Sequence, residues 1–111
     1  MSILSHARFT ASEGQTESFE RIIAELAARA IAEPGTLMYR FFRGTPGTYA
    51  VIEQYADAEA AQAHQAANAD LLAQIDGCTK EVSITLHGPV GPEIREWAQQ
   101  APNVTLFEEP I

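Results

Sequence analysis

EPGTLMYRFFRGTPGTYAVIEQYADAEAAQAH, running from Glu33 to His64, reads as a helix end, a hairpin and a helix start. Pro34-Gly35 stops the helix before it, since proline bars its predecessor from helical angles and glycine supplies a left-handed turn. Thr36 to Arg43 is then extended, Gly44-Thr45-Pro46-Gly47 reverses the chain, and Thr48 to Tyr55 returns as a strand rich in aromatic and β-branched residues. Asp57 caps the next helix. Both strands are apolar on both faces, with Leu37, Tyr39 and Phe41 on one side of the first and Met38 and Phe42 on the other. In the second, Tyr49 and Val51 oppose Ala50 and Ile52. Each face of such a sheet needs a cover, and this chain has helices for only one.

The order EPGTLxYxFFR, turn, YAVIExYxDxEAAxAH resembles the antibiotic biosynthesis monooxygenase (ABM) family, over roughly residues 3 to 87. The resemblance implies a ferredoxin-like α+β fold: an antiparallel sheet, two main helices on one face, and a homodimer formed through the open sheet faces (a dimeric α+β barrel). It implies little about substrate, because relatives of this fold include cofactor-independent oxygenases, haem-degrading enzymes and proteins with no known reaction.

Length bounds the rest. At 111 residues and 46% hydrophobic content, the chain is expected to form a single domain over residues 1–111, with its core in 3–87 and an extension in 88–111. The formal net charge of −8 makes nucleic acid and anionic membranes unfavourable partners. From Asp57 onward the only basic residues are Lys80 and Arg95. One cysteine, Cys78, excludes an internal disulfide. No N-terminal stretch has a signal-peptide pattern and no apolar run would cross a bilayer, so a cytoplasmic location is expected.

The first strand, Ile3 to Thr10, rests more on the resemblance than on its own alternation. Ser12-Glu13-Gly14-Gln15 fits a capping box, after which Phe19, Ile22, Ile23, Leu26 and Ala30 recur at helical spacing through Ala32. Glu17, Arg21, Glu25 and Arg29 form the solvated face of that helix. The helix from Ala58 to Asp76-Gly77 is alanine-rich in its first half, and Leu71, Leu72 and Ile75 come late, which predicts space beneath its start. Lys80 to His87 alternates, with Val82, Ile84 and Leu86 on one face. Gly88 to Pro92 is a hinge, Pro92 opens a short helix through Ala101, and Val104 to Glu108 forms a last strand that extends the sheet or reaches over a partner subunit.

His64 is the first candidate for chemistry. It shares a helical face with Ala60, Ala67, Leu71 and Ile75, and it matches the histidine of the family's EAxxxH segment. A neutral imidazole there takes a proton from a phenol or holds its oxygen; alternatively it is a core histidine bonded to a carbonyl or a tyrosine. Arg40, Glu53 and Tyr55 form a second constellation if the hairpin pairs Arg43 with Thr48. Arg40 then either holds a substrate anion or forms an ion pair with Glu53 that fixes the sheet. Tyr39, Phe41, Phe42 and Tyr49 either line an aromatic pocket or are plain core. Trp97 is expected to anchor the short helix. Cys78, just past a helix C-terminus, is badly placed to be a thiolate, and His6, His64 and His87 lack ligand spacing, so no metal is expected. No nucleotide or flavin fingerprint is present. Haem-degrading relatives carry a ligand histidine where this chain has NADLLAQI, and a tryptophan where it has Tyr55.

What the resemblance implies, then, is a cofactor-independent monooxygenase for an electron-rich phenol, quinol or anthrone, with His64 and Arg40 catalytic and Tyr39, Phe41, Tyr49, Glu53 and Tyr55 shaping the substrate site. The alternatives are a non-catalytic small-molecule-binding or stress-associated protein of the same fold, and a polyketide-type cyclase or isomerase.

Overall fold

The computed structural model describes all residues, 1–111. Its elements run β1 (Ile3–Ala11), α1 (Thr16–Ile31), β2 (Thr36–Arg43), β3 (Thr48–Tyr55), α2 (Ala58–Ala67), α3 (Ala69–Cys78), β4 (Thr79–His87), α4 (Gly91–Gln100) and β5 (Val104–Phe107). The sheet order is β2-β3-β1-β4-β5. The first four strands are mutually antiparallel, which is the ferredoxin-like arrangement, and β5 joins the β4 edge in parallel. The C-terminal strand therefore extends the sheet of its own chain.

All four helices pack against one face of the sheet. Phe19, Ile22, Ile23 and Leu26 of α1 bury against Ala11, Tyr49, Leu71 and Ile75, and a smaller cluster gathers Ile3, Tyr55, Ala61 and Val90. Burying side chains of this size is worth about 1.5–3 kcal/mol each and is the main stabilising contribution. The solvated face of α1 is as expected: Arg29 pairs with Glu25 at 3.2 Å and reaches Asp70 of α3 at 2.9 Å. The opposite sheet face carries no helix and exposes Leu4, Met38, Phe42 and Phe107.

The hairpin and its flanks fold as expected. Gly47 takes φ 84° in the turn, a conformation suited to glycine, and the Asp57 side chain accepts a 2.8 Å bond from the Ala60 amide. Four local expectations are corrected. Gly14 at φ 77° turns the chain before α1, so the helix starts at Thr16 behind Gln15 with no side-chain cap, and the capping box does not form. Gly35 is not left-handed; a Cβ there would lie 2.5 Å from Ala60 Cβ, so the glycine is needed for close approach of α2. The second long helix is two helices, broken at buried Asn68, and α3 continues to Cys78 through Gly77. Finally, Arg43 pairs with Tyr49 and not with Thr48.

Candidate functional site

The sheet alternation sends Ser5, Tyr39, Phe41, Glu53 and Tyr55 towards the helices. They form the floor and wall of a cavity of ≈ 700 Å³ whose remaining walls come from α2, α3 and α4. The small residues Ala61 and Ala66 are among those bordering it, consistent with the space predicted beneath the alanine-rich segment. The buried residues Ser5, Ala7, Val51 and Tyr55 lie at the bottom, while Gln65, Asp76, Glu93 and Trp97 are exposed and form the rim.

His64 lines this cavity and is only 2% exposed. Its ring packs on Tyr39 and Tyr55, with centroids 4.8 and 5.4 Å away. Nδ1 lies 2.7 Å from Glu33 Oε1. The same oxygen accepts from Thr36 Oγ1 at 2.7 Å, and Asn68 Nδ2 donates to Glu33 Oε2 at 2.8 Å. Burial pushes the Glu33 pKa up, but the bonds from His64, Asn68 and Thr36 outweigh it and hold the carboxyl below its ordinary value. Glu33 is thus an anion, so Nδ1 donates to it, and Nε2 makes no hydrogen bond within the chain. Asn68 holds this geometry from one helical turn away: its Nδ2 also donates to the His64 carbonyl at 2.8 Å, beside the backbone bond that its own N–H gives the same oxygen at 3.1 Å.

Glu53 faces His64 across the floor. Tyr55 donates its hydroxyl to Glu53 Oε1, and Ser5 donates to Oε2 at 3.3 Å. Burial nevertheless dominates and raises the Glu53 pKa, against the bonds from Tyr55 and Ser5 and the proximity of His64. Burial likewise raises the pKa of Tyr39 and Tyr55, keeping both as neutral phenols. The cavity therefore sets the His64 imidazole, held by Glu33, opposite a Glu53 carboxyl whose pKa burial raises.

The structure brings His64, Tyr39, Phe41, Glu53 and Tyr55 together and leaves two candidates out. Arg40 lies opposite Ile52 on the helix-free face, exposed, with its guanidinium 5.3 Å from the Phe42 ring centroid. The register is one residue away from the pairing assumed for it, which moves it to the other side of the sheet from Glu53. Tyr49 points to the helices but into the core: it stacks on Phe19 at 4.6 Å and donates to Glu20 Oε2 at 2.6 Å. Phe42 likewise faces away from the cavity. Trp97, expected to anchor α4, is 45% exposed at the rim, and Ala98 and Val90 are buried instead.

Glu33 and Asn68 are the site residues that sequence reading missed. A signal for Glu33 exists: a carboxylate just beyond a helix C-terminus opposes the helix dipole and so needs another reason to be there.

Residues 2–78 match the family described as antibiotic biosynthesis monooxygenase. Among solved structures, MupZ from Pseudomonas fluorescens is similar with a TM-score of 0.79 at 24% identity, over 99% of this chain and 91% of that one. PA3566 from Pseudomonas aeruginosa is similar at 0.67 and 26% identity, over 77% of this chain and 90% of its own. A structure described as an antibiotic biosynthesis monooxygenase gives 0.70 at 21% identity, over 76% and 94%. No curated protein matches. With well over half of its length matched, the chain belongs to the antibiotic biosynthesis monooxygenase family.

Proposed function

We propose that this chain is a cofactor-independent monooxygenase of an electron-rich phenol, quinol or anthrone, working as a homodimer. The observation that carries the reading is the buried His64, its Nδ1 held by Glu33 and its ring on the wall of a largely apolar cavity. On this reading Nε2 takes the acidic proton of the substrate, and the Glu33 carboxylate lies beside the ring where the positive charge develops. The resulting carbanion or phenolate gives an electron to dioxygen, a task otherwise carried by a flavin or a metal. Recombination forms a peroxide on the ring carbon, which takes the proton back from His64. Loss of water then leaves a carbonyl, so one oxygen atom is in the product and the other in water. Glu53, its pKa raised by burial, and the hydroxyl of Tyr39 hold the substrate oxygen, the role first considered for Arg40.

The test is oxygen uptake by the purified protein with a panel of quinols and anthrones in the presence of a chelator. Uptake that survives the chelator and falls at least 100-fold in His64→Ala is expected, the lower end of what a positioned base contributes. Unchanged turnover in the variant would remove His64 from the mechanism.

The pairing of a buried carboxyl with a histidine also supports a second reading, a cyclase or isomerase that moves protons without oxygen. Turnover under nitrogen would select it, and saturable binding without turnover would select a binding protein. The helix-free face, with Leu4, Met38, Phe42 and Phe107 exposed in one patch, supports a second copy of this chain as its cover.

A further inference from the structure

The charged side chains at the rim of the cavity, Asp76 and Glu93, are both acidic, and no lysine or arginine lines the cavity. The Glu33 carboxylate stands directly behind His64. Neither Asp76 nor Glu93 belongs to an ion pair; the chain's arginine–carboxylate pairs are Arg29 with Glu25 and Asp70, Arg43 with Glu20, and Arg95 with Glu108. Arg8 and Arg40 are exposed on the opposite sheet face. The chain as a whole carries a net charge of −8.

We propose that the cavity selects an uncharged substrate and rejects its carboxylated counterpart, with Asp76 and Glu93 at the mouth enforcing the choice. This rests on the reading of the cavity as a ring-binding site. Two physical reasons carry it. A carboxylate approaching the mouth meets two unpaired like charges, which lowers its local concentration and its association rate. One that enters leaves water for an apolar chamber without a cation, a burial that costs heavily unless a partner is supplied. A neutral phenol avoids both penalties because it carries its own compensation. When His64 takes its proton, the anion and the imidazolium form together as a pair. A substrate that arrives already ionised brings no such proton.

Glu93 belongs to α4, beyond the residues 2–78 that match the family, so half of this filter comes from the extension. Trp97, on the same helix and at the same rim, supplies an apolar surface for a ring to slide past.

The test uses three ligands on one ring system at pH 7: 1-naphthol, 1-hydroxy-2-naphthamide and 1-hydroxy-2-naphthoate. The amide and the carboxylate have nearly the same shape, so their difference isolates charge. Isothermal titration calorimetry on wild-type protein is expected to show the naphthoate binding at least tenfold more weakly than the amide. In the Asp76→Asn/Glu93→Gln variant the ratio should shrink at least threefold, with amide affinity unchanged. Both substitutions are on exposed side chains without partners, so folding is preserved. Naphthoate binding as tight as the amide would overturn the proposal while leaving the ring-binding reading intact, and so would a ratio unchanged in the variant. Binding of none of the three would overturn the ring-binding reading, and the charge filter with it.

Discussion

Gly35 is the packing point on which the geometry of the site depends, and its replacement by alanine gives a quantitative test. The new Cβ would sit 2.5 Å from Ala60 Cβ and 3.4 Å from Ala60 Cα. Carbon atoms are at their optimum near 3.5–4.0 Å, so the first turn of α2 must move outward by roughly 1 Å. No rotamer change relieves the overlap, because both atoms are fixed to backbone. Forcing a methyl into a packed site costs about 1–3 kcal/mol, while glycine-to-alanine at an unstrained φ returns about 0.4–1 kcal/mol through the unfolded chain. The net loss is about 1–2 kcal/mol. At roughly 4–8 °C per kcal/mol for a small domain, that is a fall in Tm of about 5–15 °C in a thermal melt. Ala60→Gly alone weakens α2 by up to about 1 kcal/mol. In the double variant the two penalties do not add, because the methyl of one residue replaces that of the other; a coupling of about 1–3 kcal/mol is expected. A Gly35→Ala protein that melts with wild type, or a double variant destabilised by the sum of the two, would refute the steric account. The consequence reaches the chemistry, since the turn that moves leads directly to His64 and its 2.7 Å bond to Glu33.

The other expectations concern charge and assembly. The raised pKa of Glu53 means that the folded chain keeps a proton that the unfolded chain gives up, so its contribution to stability falls as pH rises from the ordinary value of 4.5 towards the folded one. Glu53→Gln removes that dependence, and its Tm relative to wild type should climb between pH 5 and pH 8; a difference constant with pH would sink the assignment. Glu33, with its lowered pKa, acts in the opposite sense: its contribution is present above 4.5 and is lost as pH falls through the folded value. The melts therefore stay above pH 5. Phe42→Glu places a charge in the exposed patch of the helix-free face, and sedimentation should show a dimeric wild type and a monomeric variant. A monomeric wild type would end the dimer proposal.

Much of the fold was legible because it is encoded locally. The α1 stripe, the hairpin limits and the Asp57 cap each depend on neighbours a few residues apart. His64 was placed inward by its helical spacing alone, and the segment ending in alanines did leave room. What escaped reading depends on long-range geometry. Glu33 meets His64 where α2 docks on Gly35, and the Asn68 side chain reaches across from the helix break to the Glu33 carboxylate, 35 residues away in sequence. The hairpin register turned on a single bond pattern: Gly44 N–H donates to the Thr48 carbonyl, which puts Thr48 opposite Gly44 and Tyr49 opposite Arg43. Arg40 changed sides with it.

That one-residue choice separates two jobs along the same strand. In β2, Tyr39 and Phe41 serve the cavity, while Met38, Arg40 and Phe42 serve the helix-free face. Because strand side chains alternate, a slip by one residue would exchange the two sets: arginine would enter the cavity beside the buried Glu53, and two aromatic walls would leave it. The tight turn at Gly44–Gly47 and the irregularity between Thr36 and Met38 pin the strand at its two ends. The same strand ends beside Glu33, through the Thr36 hydroxyl that donates to it. Register, cavity charge and the orientation of His64 are therefore set by one continuous run of chain from Glu33 to Thr48. Substitutions at Met38, Arg40 and Phe42 therefore alter the helix-free face, and those at Tyr39 and Phe41 alter the cavity.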